Sequence, residues 1–251
     1  MDAPPPWPAQ PPLEAQSVSR EAERERLGEE LLAAMADIHR RGWCDGTGGN
    51  FSCLLRSDPI ELLMAPSGVD KGSVERANLI VVDGDAAVIH GHGKASAETL
   101  LHLAIVQSTG AGAVLHTHSQ AATLLSRRPD LQLLPTRQPM QEAGGEEAMS
   151  ASIDFENLEM LKGLEGITTH GTRVRLPVLA NDQDLRRLSD QARPLLAAAP
   201  WGLLIAGHGL YAWGRDLAMA RRHLEILEFL LEQRWREMVL ETFRRSDHNR
   251  R

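Results

Sequence analysis

Two histidines separated by one residue are the sharpest indication of chemistry in this sequence. His116 and His118 follow a short apolar run, 113–115. Side chains two positions apart on a strand point to the same face, so both imidazoles can reach one ion. His208 follows another apolar run and lies between two glycines, which let the backbone approach closely. Three histidines with one open coordination position form the ligand set of a catalytic zinc ion. For the HxH pair considered alone, the alternative to metal binding is two surface histidines without a ligand role.

The other histidines give weaker signals. His90 and His92 also form an HxH pair, but glycines interrupt the strand there. His170 lies in a loop, where a histidine satisfied by local hydrogen bonds is more common than a substrate contact. Two more lie on predicted helices, where we expect them at the surface or rim: His39 and His223.

A glycine-rich segment, DGTGGNFS at 45–52, could bind an anion through backbone N–H groups and short polar side chains. It matches neither the Walker pattern nor the dinucleotide fingerprint, and most such segments are only turns. Two further small polar clusters, APSGVDKG and KASAE, could converge with it on one phosphate. The polar candidates in these three clusters are Thr47, Asn50, Ser52, Ser67, Gly68, Lys71 and Ser96.

Two glutamates are candidates for proton transfer, Glu98 and Glu159. Both lie on predicted helices, where an exposed glutamate is commonplace. Glu98 is close in sequence to Ser96, and a polar loop follows Glu159. His102 lies four residues after Glu98 and could orient that carboxylate or only pack.

The helices and strands that must position these residues are predicted from the spacing of apolar side chains along the sequence. Leucines and alanines at helical spacing predict an amphipathic helix from an N-cap at Ser19 to about Gly42, and Asp216 opens a long final helix. Residues 127–154 show no period, and an irregular stretch of that length is often part of a site. The remaining predicted helices are 97–108, 119–128, 157–164 and 181–193, and the predicted strands are 51–55, 61–65, 79–83, 113–116, 174–180, 201–207 and 210–214. Helices therefore flank a mainly antiparallel or mixed sheet.

Length and composition limit the class of protein. The chain has 251 residues, of which 42% are hydrophobic and 24% charged, as is typical of one globular domain. We expect a flexible proline-rich arm at 1–18 and a single catalytic domain at 19–251.

A net charge of −7 argues against a nucleic-acid partner, and no apolar run is long enough to span a membrane. Two isolated cysteines, Cys44 and Cys53, and the lack of a signal-peptide pattern favour the cytoplasm.

In order and spacing, the motifs TGGNFS, PSG, SAE, HTH and GHG resemble the class II aldolase/adducin family over residues 20–237. The resemblance implies a three-layer α/β/α domain with a mostly antiparallel sheet, assembled as a homotetramer. It also implies one zinc ion per subunit, bound by His116, His118 and His208. The phosphate-binding residues that it implies are Gly49, Asn50, Ser67, Gly68 and Ser96.

The resemblance gives the two glutamates different roles. In aldolases of the family, the glutamate of the S-x-E motif is both a zinc-site residue and the acid/base, which falls here on Glu98. In the dehydratase branch, which the segments EMLKGLEGITTHG and GHGLYAWG resemble, the acid/base falls on Glu159. We favour Glu159 and a dehydratase acting on a phosphorylated ketose. Ala97 replaces a serine that aldolases carry, which removes one phosphate contact. An aldolase or epimerase and a non-catalytic adducin-like interaction domain are the alternatives.

Overall fold

The fold is organised around a nine-stranded sheet in the computed structural model, which describes residues 13–128 and 151–248. The strands are β1 (Asn50–Ser57), β2 (Ile60–Met64), β3 (Ile80–Asp83), β4 (Val88–His90), β5 (Ala113–Thr117), β6 (Ser152–Phe155), β7 (Val174–Leu179), β8 (Gly202–Ile205) and β9 (Gly209–Gly214). Their spatial order is β4-β3-β2-β1-β5-β9-β8-β7-β6. Every neighbouring pair is antiparallel except β7 and β8, so the predicted mostly antiparallel sheet is confirmed.

Five α-helices of the described segments cover both faces of the sheet. They are α1 (Leu13–Arg40), α2 (Thr99–Thr109), α3 (Gln120–Leu125), α4 (Leu185–Leu196) and α5 (Leu217–His248), with short 3-10 helices at Arg76–Asn78 and Glu159–Gly163. Helices α1, α3 and α5 bury one apolar layer, and α2 and α4 bury the other. Helices on both faces of a sheet make the three-layer α/β/α class that was predicted.

Strand β5 lies near the middle of the sheet and contributes to both layers. Ala113 and Leu115 belong to the α1/α5 layer, whereas Val114 belongs to the α2/α4 layer. Alternate side chains of a strand face opposite sides, so a central strand is buried on both. Thr117 is also fully buried. The candidate ligands His116 and His118 therefore lie at the end of a rigid, enclosed strand.

The N-terminal helix begins earlier than predicted. Helix α1 starts at Leu13, not at Ser19, so the stretch 13–18 belongs to the helix and not to an arm. Between Pro12 and Ser19 the sequence has no glycine or proline to stop a helix, whereas proline is poorly tolerated inside one. Residues 1–12 of the predicted arm lie outside the described residues.

Two edge strands escaped prediction. All three residues of β4 are exposed, so no apolar alternation marks the strand. Strand β6 begins within the stretch 127–154 that was predicted to be irregular, and its pairing with β7 corrects that prediction for 152–154. Residues 129–150 of the same stretch lie outside the described residues. Edge strands are short and pair on one side only, so their sequence signals are weak.

Two further sequence-based expectations concern cysteine and the membrane. Cys44 and Cys53 are both free, as predicted, and both are buried. In the two described segments, none of the helices combines the length and the apolar character that crossing a bilayer would require.

Candidate metal centre

Four side chains converge beyond the end of β5. Their potential ligand atoms all lie within 4.8 Å of one another, and they belong to Glu98, His116, His118 and His208. Nε2 of His118 is 2.8 Å from Nε2 of His116. Oε1 of Glu98 is 2.8 Å from Nε2 of His208 and 3.6 Å from Nε2 of His116. Two imidazole nitrogens at 2.8 Å repel each other unless a hydrogen atom carried by one of them, or a metal ion, lies between them.

His116 is fixed in the tautomer that metal binding requires. Its Nδ1 lies 3.0 Å from the carbonyl oxygen of Leu210, and because a carbonyl oxygen only accepts, Nδ1 donates the proton. The lone pair on Nε2 therefore faces the cluster. Burial lowers the pKa of His116 well below its ordinary value, so the imidazole is neutral. A backbone carbonyl that holds the remote nitrogen is the usual outer partner of a metal-bound histidine.

His118 is held by the chain around the glycine-rich segment. Its backbone N–H donates to the carbonyl oxygen of Trp43 at 2.7 Å. A Cβ atom at Gly48 would lie 2.9 Å from Nδ1 of His118, so a side chain there would push against the imidazole. Burial also lowers the pKa of His118. The glycine segment that was predicted to bind an anion thus also packs against a candidate metal ligand.

His208 lies in the tight turn between β8 and β9. Its backbone N–H donates to the carbonyl oxygen of Ile205 at 3.0 Å. At Gly209 a Cβ atom would lie 2.0 Å from the carbonyl oxygen of Thr117, so only glycine allows β9 to approach the end of β5. This close approach brings His208 within reach of the HTH pair.

Glu98 completes the cluster from the residue before α2. The side-chain amide of Asn50 donates to its Oε2, while Oε1 faces the histidines. Burial acts to raise the pKa of Glu98, but the hydrogen bond with His208 and the nearby imidazoles outweigh burial and bring the pKa to about 2. Three imidazoles and one ionised carboxylate form a donor set that suits a zinc ion.

Glu159, the favoured acid/base, is not part of this cluster. It opens the 3-10 helix Glu159–Gly163, and its side chain is 73% exposed. Its Oε1 lies 2.6 Å from Nζ of Lys162, and this hydrogen bond lowers the pKa of Glu159. Its role in proton transfer stays a prediction.

The candidate phosphate-binding loops occupy different environments. Lys71 is buried, and its Nζ donates to the carbonyl oxygens of Val69 at 2.9 Å and Thr47 at 3.2 Å, which ties two of the loops together. Gly49 and Gly68 adopt positive φ angles of 77° and 76°. Ser67 and Gly68 are exposed. Ser96 is partly buried, and its hydroxyl accepts a hydrogen bond from the backbone N–H of Glu98. Asn50 is buried against the side chain of Glu98. Their contact with phosphate stays a prediction.

The remaining histidines do not join the cluster. His223 is buried and not at the surface as predicted, because the first turns of α5 pack against β9. Its Nδ1 donates to the carbonyl oxygen of Trp213 at 2.7 Å, a structural role. His102 is buried with Nδ1 2.8 Å from Oγ of Ser52. His90 is exposed on β4.

Two buried residues near the cluster escaped the sequence analysis, Glu228 on α5 and Tyr211 on β9. Glu228 accepts a hydrogen bond from Thr117, and Tyr211 stacks on His116 with the ring centroids 3.9 Å apart. In the sequence, the burial of Glu228 is indicated only by its position as a charged residue within the apolar stripe of a helix. Tyr211 resembles any core aromatic residue in sequence.

A mostly antiparallel sheet between two helical layers, with histidines and a glutamate gathered at strand ends, defines a metal-binding α/β protein of the class II aldolase type. The chain belongs to the family described as Class II Aldolase and Adducin N-terminal domain, which matches residues 29–235.

Similar proteins carry two kinds of name. The chain is 39% identical over 207 residues to a methylthioribulose-1-phosphate dehydratase of Sorangium cellulosum, covering 81% of this chain and 88% of that protein. It is 40% identical over 214 residues to the enzyme of the same name from Serratia proteamaculans, covering 84% and 95%. Its fold matches an L-fuculose-1-phosphate aldolase from Thermus thermophilus with a TM-score of 0.64 and 22% identity, over 87% of this chain and 98% of that one.

Proposed function

We propose that the protein is a zinc-dependent methylthioribulose-1-phosphate dehydratase, a carbon–oxygen lyase of methionine salvage. It would convert 5-methylthioribulose 1-phosphate into 5-methylthio-2,3-diketopentyl 1-phosphate and water. The main support for this proposal is that Glu98 and three histidines converge at one site. The chain that carries them is about 40% identical to dehydratases over most of its length.

His116, His118 and His208 would hold the zinc ion through their Nε2 atoms. When bound, zinc supplies Lewis-acid polarisation of the substrate ketone oxygen at C2, which acidifies the C3–H bond. The imidazoles are neutral ligands, so they do not cancel the charge on the ion. The hydrogen bond of His116 to Leu210 supports this assignment, because it leaves Nε2 free to bind.

A carboxylate then removes the C3 proton and delivers a proton to the C4 hydroxyl, which leaves as water. The C3–H and C4–O bonds break, and the resulting enol tautomerises to the 2,3-diketone. We assign this transfer to Glu159, with Glu98 as the second candidate. The hydrogen bond from Lys162 lowers the pKa of Glu159, and the hydrogen bond with His208, against the opposing effect of burial, lowers that of Glu98, so both carboxyl groups are ionised.

The substrate phosphate would bind to the loops that carry Gly49, Ser67, Gly68 and Ser96, with Asn50 and Lys71 beside them. Positive φ at two of the glycines turns the backbone sharply, which suits N–H groups that converge on an anion. Buried Lys71 adds positive charge behind these loops. Binding energy from a group remote from the reacting carbons fixes their geometry.

A single incubation tests the proposal. Purified protein is mixed with 5-methylthioribulose 1-phosphate, and the diketone is followed by its ultraviolet absorbance, with and without a chelator. We expect diketone without chelator, loss of turnover after chelation and recovery on adding zinc. Absence of diketone from metal-loaded protein contradicts the proposal.

A class II aldolase is the second candidate, and one observation favours it. The glutamate of the S-x-E motif, Glu98, lies in the cluster, as the resemblance to aldolases implies, whereas Glu159 lies apart. The products separate the two activities, because an aldolase yields dihydroxyacetone phosphate and an aldehyde. An adducin-like interaction domain would bind no zinc.

We further propose a homotetramer that works in the cytoplasm. Large apolar side chains are exposed on the C-terminal half of α5 and are available to pack against another subunit: Trp235, Val239, Leu240 and Phe243. Two reduced cysteines support a reducing compartment. Light scattering after size-exclusion chromatography tests the assembly, and a monomeric mass contradicts it.

A further inference from the structure

Strand β1 and helix α2 are joined by two hydrogen bonds between side chains. The amide of Asn50 donates to Oε2 of Glu98, next to the three histidines. Two residues further along β1, Oγ of Ser52 lies 2.8 Å from Nδ1 of His102. A hydroxyl can both donate and accept, so this contact is a hydrogen bond whichever nitrogen of the imidazole carries the proton. The first bond belongs to the candidate metal centre, and the second lies one helical turn away from it.

The two bonds match the repeats of a strand and of a helix. Asn50 and Ser52 are two positions apart, so their side chains lie on the same face of β1, about 6.7 Å apart along the strand. The backbone N–H of His102 donates to the carbonyl oxygen of Glu98, so one helical turn of about 6 Å separates these two residues. Because the two spacings are nearly equal, a shift of α2 along β1 would break both pairs together.

The contact between Ser52 and His102 is enclosed in an apolar layer. Both residues are completely buried. Phe51 and Cys53 belong to the α1/α5 layer, so Ser52 between them faces the layer of α2 and α4. Nε2 of His102 is buried without a hydrogen-bond partner among the described residues, which costs free energy. An apolar side chain at position 102 would avoid this cost, so the imidazole calls for an explanation beyond packing.

Helix α2 must be placed accurately because it carries one member of the cluster. The three histidines lie at the end of β5 and in the turn between β8 and β9, where the sheet itself positions them, whereas Glu98 is the N-cap residue of α2. Hydrophobic burial has no direction, while a hydrogen bond weakens steeply when its distance or angle changes. A buried hydrogen bond between α2 and β1 therefore restrains the position of Glu98 in a way that apolar contacts do not.

We infer that Ser52 and His102 are positioning residues: the hydrogen bond between them fixes the register of α2 on β1, which places Glu98 beside the three histidines. Both side chains are fully buried and act through Glu98. The inference deepens the proposed function, because it names what holds the carboxylate of that site. It rests on the proposed function for its zinc and kinetic measurements only.

Zinc affinity reports on the position of Glu98. We expect Ser52→Ala to raise the zinc Kd by about tenfold to a hundredfold, as is usual when an outer partner of a metal site is lost. In zinc-saturated protein, kcat should fall by about tenfold to a hundredfold with KM near wild type, because the carboxylate is misplaced and the phosphate loops are unchanged. A purely structural bond predicts a lower melting temperature with wild-type Kd and kcat, and that result overturns the inference.

Ser189→Ala is the matched control. Ser189 is a buried serine of α4, and its hydroxyl donates within its own helix, to the carbonyl oxygen of Leu185 at 2.6 Å. Its loss should lower the melting temperature without changing zinc affinity or kcat. If Ser52→Ala does not fold, Ser52→Cys replaces it, because a thiol is a weaker hydrogen-bonding group of similar size. A wild-type zinc Kd in Ser52→Cys then overturns the inference.

A double-mutant cycle tests whether the two residues act as a unit. His102→Phe keeps an aromatic ring against Tyr211 and removes both ring nitrogens. We expect the double variant to bind zinc no more weakly than the weaker of the two single variants, because both substitutions break the same contact. Effects on the zinc Kd that multiply in the double variant overturn the inference.

Hydrogen exchange separates the inference from the proposed function. In chelator-treated protein, the backbone amides of Thr99–Thr109 should exchange faster in Ser52→Ala than in wild type, and at the wild-type rate in Ser189→Ala. Wild-type exchange in Ser52→Ala overturns the inference. Absence of zinc binding by the wild-type protein would refute the proposed metal centre, and hydrogen exchange would still decide whether Ser52 and His102 hold α2 on β1.

Discussion

The hydroxyl of Thr117 donates a hydrogen bond of 2.5 Å to Oε1 of Glu228. Thr117 lies between His116 and His118, and its side chain points to the opposite face of β5 from His116. Helix α5 is therefore joined to the strand of the metal centre from behind. Burial raises the pKa of Glu228 to about 7, although hydrogen bonds from Ser119 and Thr117 oppose the rise.

Because the carboxyl group of Glu228 is buried, we expect the free energy of unfolding to fall as pH rises. In the unfolded chain a glutamate titrates near pH 4.5, so between about pH 4.5 and 7 the folded protein binds the additional proton. Glu228 should then reduce the free energy of unfolding by about 3 kcal/mol across that window. In Glu228→Gln this contribution should be absent, which urea denaturation at several pH values measures.

Glu237→Gln provides the control for that titration. Glu237 lies further along α5, is about half exposed and pairs with Arg234. We expect it to keep the wild-type dependence of stability on pH. Equal slopes for wild type and Glu228→Gln would contradict the buried-carboxyl explanation.

Removal of His116 should abolish metal binding and turnover together. His116→Ala deletes the central nitrogen of the cluster, from which His118 is 2.8 Å away. His90→Ala is the matched control, because His90 belongs to the other HxH pair and is exposed on an edge strand. Zinc content by mass spectrometry and diketone formation are measured on both. A His116→Ala protein that retains metal and activity would refute the site.

Glu159→Gln separates the two acid/base candidates. If Glu159 transfers the proton, kcat should fall about a hundredfold or more while bound zinc stays at the wild-type level. Glu98→Gln should instead reduce zinc content, because the carboxylate belongs to the ligand cluster. Undiminished turnover in Glu159→Gln, with loss of turnover in zinc-loaded Glu98→Gln, would transfer the role to Glu98.

Gly209→Ala should damage the centre sterically without changing any ligand. The added Cβ atom would lie 2.0 Å from the carbonyl oxygen of Thr117, so β9 would have to move away from β5. We expect a lower melting temperature and weaker zinc binding. Gly171→Ala is the control, since its Cβ atom would meet nothing closer than Oγ1 of Thr169 at 3.9 Å. Equal melting temperatures for the two variants would argue against the close approach.

The sequence by itself identified the three histidines that meet in the cluster and most of the secondary structure. The two-residue spacing of His116 and His118 placed two imidazoles on the same side of a strand, and glycines around His208 marked a tight turn. These are local signals, because the spacing along one strand or one turn fixes where neighbouring side chains point. The motif order then sufficed to indicate the family.

Only the tertiary structure decided which other groups join the histidines. Glu98 enters the cluster because β1 brings Asn50, and the turn before β9 brings His208, to the end of β5. Nothing local to Glu98 or Glu159 separates the two, since each lies at the start of a helix. The surroundings of Glu228 are likewise defined by the packing of α5 on β5, and those of Tyr211 by the pairing of β9 with β5. Contacts between residues distant in the chain depend on how strands pair and helices pack, and periodicity within a segment carries no record of them.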